Sequence, residues 1–156
     1  MDVSVQLVDN ATVRVNALTE QIRAQLRVAI VRDTQQLAAR VRGKLSGGVL
    51  QVRSGRLLNS IASEMRESQY AIYGIVASRG VPYAAIHEYG GQTKPHDILP
   101  RNVQALHFFA SGGEVFAKVV HHPGSKIPER SYMRSSLAEM RAEIVADIQQ
   151  AARPKW

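Results

Sequence analysis

A histidine and a glutamate stand side by side in the segment PYAAIHEYGG, residues 82–91. Imidazole and carboxylate groups commonly move protons in active sites, and both also ligate metal ions. The pair His87–Glu88 is therefore compatible with a catalytic site, a metal site or a structural corner of the chain. The choice among these three decides whether the protein is an enzyme.

The spacing of the two side chains argues against chemistry. On a helical turn, sequence neighbours point about 100° apart, so His87 and Glu88 do not face one substrate. A zinc-binding helix would need a second histidine one turn after the first, but residue 91 is Gly. The adjacent His121 and His122 point in opposite directions if that stretch is a strand. A site combining His87 with a distant histidine lacks support, and the remaining histidines are His96 and His107.

Other chemistries leave no recognisable pattern in the chain. The serines in RSGRLLNS and ASGGE do not form a nucleophile elbow, and no phosphate-binding glycine loop carries its lysine. The chain has no cysteine, which excludes disulfides and cysteine-based zinc or thiol chemistry. We therefore expect no enzyme activity, no cofactor and no metal. Glu88 is expected to anchor a corner by accepting hydrogen bonds from the backbone or an arginine, with His87 as a bystander.

Length and composition predict one globular domain. The 156 residues can bury a core, and the hydrophobic content of 45% and charged content of 21% are ordinary for a soluble protein. No apolar run reaches the ~20 residues that span a bilayer, and the N-terminus does not resemble a secretory signal. We expect a single domain over residues 1–156 with no membrane partner.

The net charge of +7 raises the question of an acidic partner. The arginines are scattered along the chain rather than clustered, and no aromatic residues alternate with them as base-stacking platforms would require. Solvated surface and subunit contacts are the simpler use of these charges. A small basic nucleic-acid-binding module is the alternative hypothesis.

Hydrophobic periodicity predicts the elements that hold this corner. Residues 1–15 alternate like an extended N-terminal arm, and residues 17–44 repeat apolar side chains at helical spacing until GKLSGG ends them. Strands follow at about residue 61 and in YAIYGIVAS, the latter apolar on both faces and therefore expected to be central. The segment YAAIHEYGG fits one or two helical turns, which the glycine pair ends.

The second half of the chain predicts a hairpin and a helix. The segments VQALHFFA and EVFAKVVHH flank a glycine turn, as in a β-hairpin, between polar loops at 91–103 and 121–130. Ser131 is a candidate N-cap for a helix that continues to about Ala152. The predicted class is α+β: a long N-terminal helix and a C-terminal helix packed on a mainly antiparallel β-sheet with a β-hairpin.

Three short motifs occur in order between the two long helices. The first is Ser-Gly-x-Leu-x-x-Ser-Ile at residues 54–61, and the second is Tyr-Ala-x-x-x-Glu-x-Gly at residues 83–90. The third is Pro-x-Arg-x-Tyr-Met-Arg at residues 128–134. Their order resembles the virion morphogenesis and tail-completion (head–tail joining, neck) proteins of tailed bacteriophages, Mu-like or lambdoid, although Phe-Leu is more usual there than Tyr-Met. The resemblance covers residues 15–150, and its interface positions here are Arg56, Tyr83, Glu88, Gly90, Arg130, Tyr132 and Arg134.

This resemblance implies a structural virion protein without catalysis. Members of such families form a ring at the neck or the head-proximal end of the tail, where they complete the tail or join it to the head. A homo-oligomer is implied, with a hexamer favoured over a dodecamer. Its partners would be portal-side and tail-tube proteins, with weak contact to packaged DNA, in a virion assembled in the host cytoplasm.

One expectation concerns the corner itself. Arg56, Arg130 and Arg134 are able to clamp carboxylates such as Glu88, within one subunit or between subunits. We therefore predict that Glu88 has an arginine partner.

Overall fold

A long helix opens the part of the chain, residues 20–153, that this computed structural model describes. The extended arm expected at residues 1–15 lies outside the described residues. Leu26, Ala29 and Val41 form the buried stripe of the first helix, as the periodicity predicts. A turn over Lys44–Gly48 ends it, closed by the Val49 N–H donating to the Lys44 carbonyl at 2.8 Å, and Gly47 takes a φ of +119° there. The helices are α1 Glu20–Gly43, α2 Arg56–Asn59, α3 Ala84–Tyr89 and α4 Met133–Ala151.

All described strand pairs are antiparallel. The first pair, β1 with β2, joins Ile61 to Ser78 and Glu67 to Ile72 in a continuous register. Helix α1 packs on this pair and on α4. The close approach of α1 depends on Gly74, because a side chain there would collide with the Thr34 hydroxyl. The strands are β1 Ile61–Glu67, β2 Ile72–Ser78, β3 Gly91–Gln92, β4 His96–Ile98, β5 Leu106–Ala110, β6 Gly113–Ala117, β7 Val120–His122 and β8 Lys126–Ile127.

The predicted α+β class is confirmed, with two long helices and antiparallel hairpins. The prediction that β2 is a central strand is wrong, because within residues 20–153 it pairs only with β1. Its apolar character serves helix packing instead, since Val76 lies in the core beside Ala38 and Val41 of α1. Helix α4 makes its main contacts with α1 rather than with a strand.

One core cluster joins the helices to the β1–β2 pair. It brings together the end of α1, the segment after it, both strands and the start of α4. Burial of these side chains supplies the main driving force for folding. Its buried members are Ala38, Val41, Leu45, Leu50, Ile61, Val76, Tyr132 and Met133.

Residues 91–127 form three successive two-stranded antiparallel pairs, which we together call the β-arm. The pairs β3–β8 and β4–β7 keep the same register, with Gly91 opposite Ile127 and His96 opposite His122. Residues 99–105 and residues 118–119 connect this second pair to the third, β5 with β6, at the tip. The glycine-turn hairpin predicted for the tip is confirmed. The expectation of unpaired loops at 91–103 and 121–130 is wrong in part, because β3, β4, β7 and β8 pair these segments.

The β-arm contributes nothing to the core. No residue from 91 to 127 is buried, and its strands pair chiefly with each other. Phe109 and Phe116 near the tip are 75% and 67% exposed. A two-stranded pair with phenyl rings exposed to water is marginally stable by itself.

Candidate functional site

Glu88 lies on α3 and is completely buried against the start of α4. Its Oε2 accepts hydrogen bonds from the backbone N–H groups of Tyr132 at 2.8 Å and Met133 at 2.9 Å. Its Oε1 accepts from the Ser131 hydroxyl at 2.7 Å and from the Arg134 N–H at 2.9 Å. We call this set of residues, Glu88 with Ser131–Arg134, the Glu88 corner.

The Glu88 corner caps a helix with a carboxylate from a distant part of the chain. The first N–H groups of a helix have no partner inside it, and the helix dipole favours a negative charge there. Burial alone would raise the pKa of Glu88, but the hydrogen bonds from Met133, Arg134, Ser131 and Tyr132 outweigh it and lower the pKa. A carboxylate that is enclosed and saturated with donors is unavailable as a catalytic base, so this residue acts structurally.

The predicted arginine partner of Glu88 is confirmed as Arg134. Its Nε donates to Glu88 Oε1 at 3.3 Å, and its terminal nitrogen donates to Glu129 Oε1 at 2.5 Å. The guanidinium carbon also lies 4.6 Å from the centre of the Tyr89 ring, a cation–π contact. Arg134 therefore ties α3, α4 and the loop before α4 together.

The aromatic residue of the third motif lies inside the corner. Tyr132 is fully buried and donates its hydroxyl proton to the Ala84 carbonyl at 3.2 Å. Burial, followed by the nearby Glu88 charge, raises the pKa of Tyr132. The helix begins one residue later than predicted, because Tyr132 occupies the N-cap position expected for Ser131. The Ser131 hydroxyl still accepts from the Ser135 N–H at 3.2 Å.

Gly90 allows the chain to leave this corner. Its φ of +72° and ψ of −177° belong to a region that essentially only glycine adopts. A Cβ at this position would lie 2.8 Å from the Glu129 backbone nitrogen. The glycine is therefore required both by its backbone conformation and by the close approach of the returning chain.

The same corner holds both ends of the β-arm. The arm leaves through Gly90 and Gly91 and returns through residues 128–130, where the Arg130 N–H donates to the His87 carbonyl at 2.9 Å. The second and third motifs thus meet in space, although about 40 residues of arm separate them in sequence. The two motifs form the base on which the arm stands.

Beside the corner lies a groove with an apolar floor and a cationic rim, which we call the arginine groove. It encloses about 580 Å³, and Leu45, Leu50 and Leu57 contribute to its apolar lining. Arg53, Arg56 and Arg130 also line it. Their side chains form no ion pair with a carboxylate among residues 20–153.

Arg56 and Arg130 therefore do not clamp Glu88 within the chain, contrary to one option of the prediction. A terminal nitrogen of Arg56 donates to the Gly80 carbonyl at 3.2 Å instead. Tyr83, the N-cap residue of α3, lines the arginine groove with them. The seven predicted positions thus fall into two groups. Glu88, Tyr132 and Arg134 belong to the Glu88 corner with Gly90 beside it, and Arg56, Tyr83 and Arg130 line the groove.

His87 takes part in the groove although its sequence context gave it no role. It lines the cavity, its ring meets the Tyr83 ring edge-on at 5.9 Å, and its buried Nδ1 has no hydrogen-bond partner. Burial, followed by the charge of Arg130, lowers the pKa of His87 and favours the neutral ring. His87 and Glu88 do point to different surroundings, as their spacing predicts.

The expectation that Glu88 accepts backbone hydrogen bonds is confirmed by the N–H groups of Tyr132, Met133 and Arg134. That these donors are the first N–H groups of a helix was not predicted, although helix N-termini attract carboxylates. Arg53 was absent from the expected site, although it lies just before the first motif. Nothing in its local sequence distinguishes it from the other exposed arginines.

Comparison with protein-family models, curated proteins and solved structures gave no match. Among residues 20–153, no three side chains of the metal-ligating types come together as an ion site would require. Over the same residues, neither long helix is sufficiently apolar to cross a bilayer. Function must therefore be inferred from the geometry of the corner, the groove and the arm.

Proposed function

We propose that this protein is a non-enzymatic structural protein of a tailed-phage virion. It forms a ring at the neck or the head-proximal end of the tail, completing the tail or joining it to the head. The observation that carries the proposal is the β-arm, which exposes apolar side chains and shares no residue with the core. Such an element has a physical purpose only when another chain covers it.

The Glu88 corner adds a second line of support. Two of the three motifs behind the resemblance to tail-completion proteins are interlocked, because Glu88 of one motif caps the helix that begins in the other. The first motif lies at the groove and enters the core through Ile61. The motif order therefore has a structural reason, since all three surround the base of the arm.

Mass measurement of the purified protein tests this proposal. We expect native mass spectrometry to find a closed homo-oligomer, a hexamer in the simplest case, and negative-stain images to show rings. Particles assembled without the protein should accumulate as heads and tails that have not joined. A strictly monomeric protein across micromolar concentrations, or normal particles without it, would contradict the proposal.

The arginine groove favours one alternative, a small basic nucleic-acid-binding module. Its three arginines without carboxylate partners could bind phosphates. The exposed phenyl rings lie on the β-arm rather than among these arginines, so a stacking platform beside them is lacking. Tight DNA binding whose affinity falls steeply with salt would favour this alternative, whereas a ring without such affinity favours the virion role.

A further inference from the structure

The β-arm tip and the arginine groove are complementary surfaces on one chain. On one face of the tip, His107 and Phe109 of β5 lie opposite Phe116 and Glu114 of β6. Among residues 20–153, the two phenyl rings are the most exposed of the phenylalanine and tyrosine rings. This face therefore presents apolar rings together with one carboxylate.

The carboxylate of the tip has only a weak partner. Glu114 Oε2 lies 3.7 Å from His107 Nε2, and its side chain is 58% exposed. That distance is longer than a hydrogen bond. The tip thus offers an acidic group that is free to accept from a stronger donor.

The groove carries groups that complement those of the tip. Its leucine lining is open to an apolar group, and Arg53, Arg56 and Arg130 could donate to a carboxylate. Guanidinium groups also bind the faces of aromatic rings. A volume of about 580 Å³ lies within the range of about 300–1,000 Å³ typical of cavities that enclose a ligand.

We infer that the β-arm tip of one copy docks into the arginine groove of a second copy. Phe109 and Phe116 enter the apolar part of the groove, and Glu114 pairs with its arginines. The occupant is another copy because the tip strands of the same chain pack chiefly on each other and leave both rings exposed. This inference rests on the proposed ring and specifies the interface that builds it.

The geometry of the interface has a consequence for symmetry. Tip and groove are different surfaces, so each copy can give its tip to one neighbour and receive the tip of another. Such head-to-tail contacts produce a ring when the rotation closes. A face-to-face dimer through two tips would use the same phenyl rings but leave every groove empty.

Single-cysteine variants test the contact directly, because the chain contains no cysteine. One variant carries Ser111→Cys in the exposed turn of the tip and the other Gln51→Cys in the groove. When the two are mixed before assembly and oxidised, we expect a mixed disulfide dimer at least tenfold above either variant alone. Replacing the groove variant by Glu143→Cys, exposed on α4, should remove the product.

A second measurement removes the apolar part of the contact. Phe109→Ser combined with Phe116→Ser should weaken assembly at least tenfold while the thermal midpoint of the monomer stays unchanged. The control is Tyr70→Ser with Val28→Ser, which removes two side chains that are 59% and 70% exposed elsewhere. These control variants should assemble normally.

A charge exchange identifies the polar part. Glu114→Arg should prevent assembly, and combination with Arg53→Glu, Arg56→Glu or Arg130→Glu should restore it in at least one case. Restoration requires the two charges to meet, which a general effect on folding would not produce. If none of the three combinations restores assembly, Glu114 does not pair with these arginines in the interface.

The outcomes separate this inference from the function on which it rests. A protein that stays monomeric contradicts the ring itself. Rings that give no mixed disulfide, or that link tip to tip, overturn only the tip-in-groove contact. Groove variants that form normal rings but lose salt-dependent DNA binding would assign the groove to phosphates and overturn the contact as well.

Discussion

The Glu88 corner and the β-arm are adjacent in the chain but opposite in character. Glu88 has no exposed surface, and both its oxygens accept several hydrogen bonds. The arm that starts three residues later has no buried residue in 37 positions, from 91 to 127. The comparison indicates that the free energy of folding comes mainly from the corner and the core, whereas the arm contributes little to it.

The largest effect on stability is expected for Glu88→Ala. The change leaves buried N–H groups of Tyr132 and Met133 without an acceptor, so the free energy of unfolding should fall by about 3–5 kcal/mol. Urea denaturation followed by circular dichroism measures it. The control Glu143→Ala, exposed on α4, should change stability by less than about 0.5 kcal/mol. Equal losses of stability for the two variants would show that the buried Glu88 contributes no more than an exposed glutamate.

Gly90→Ala should have the next largest effect. The variant places a Cβ 2.8 Å from the Glu129 nitrogen and forces alanine into a backbone region reserved for glycine. We expect a loss of about 2–4 kcal/mol in the free energy of unfolding. Gly112→Ala is the control, because nothing lies within 4 Å of the added methyl group. A well-tolerated Gly90→Ala would show that the returning chain can move away.

The pH dependence of the free energy of unfolding tests whether the charge of Glu88 stabilises the corner. The folded-state pKa of Glu88 is lowered below its usual 4.5, so its contribution is complete above that pH and is lost as pH falls through the lowered value. Glu88→Gln should therefore cost about 1–2 kcal/mol at pH 7 and progressively less below pH 4.5. Measuring the free energy of unfolding of the unaltered protein and of Glu88→Gln at several pH values gives this difference. A constant difference across this range would mean that the charge of Glu88 is irrelevant.

Tyr132→Phe tests a single hydrogen bond of the corner. It removes the bond to the Ala84 carbonyl but keeps the buried ring, so we expect a loss of about 1 kcal/mol. Tyr70→Phe, on an exposed turn, is the comparison and should be neutral. Thermal unfolding is sufficient to distinguish them. No difference between the two would place the stabilising role of Tyr132 entirely in its ring.

The smallest effect on stability belongs to the tip. Phe109→Ser with Phe116→Ser should change the unfolding free energy of the monomer by less than about 0.5 kcal/mol, because both rings are already in water. Assembly measured by sedimentation should nevertheless be lost. A large loss of monomer stability would contradict the division between folding and assembly described above.

The sequence was sufficient for the two long helices because their apolar side chains recur at a period that no strand shares, whereas the short helix α2 was expected to be a turn. It was also sufficient to place Glu88 at a corner and to expect an arginine near it. Pairing beyond the tip was missed, because segments such as TKPHDILPRN carry turn residues and no clear alternation. The strand YAIYGIVAS was placed in the middle of a sheet because burial by a helix and burial by neighbouring strands produce similar patterns.

The arginine groove could not have been predicted as a unit. Arg53 and Arg56 are separated from Arg130 by the whole of the β1–β2 pair, α3 and the arm. Only the return of the chain beside His87 brings them to one cavity. Proximity created by long-range folding has no local signature in a single sequence.

The anchoring of both arm ends at one corner has a mechanical consequence. A pull on the tip is shared by the two strands and does not unzip their hydrogen bonds, since both are loaded in the same direction. The tension reaches the body at Gly90 and at residues 128–130, beside the Glu88 cap. A load on the arm therefore passes through the Glu88 corner into the two long helices.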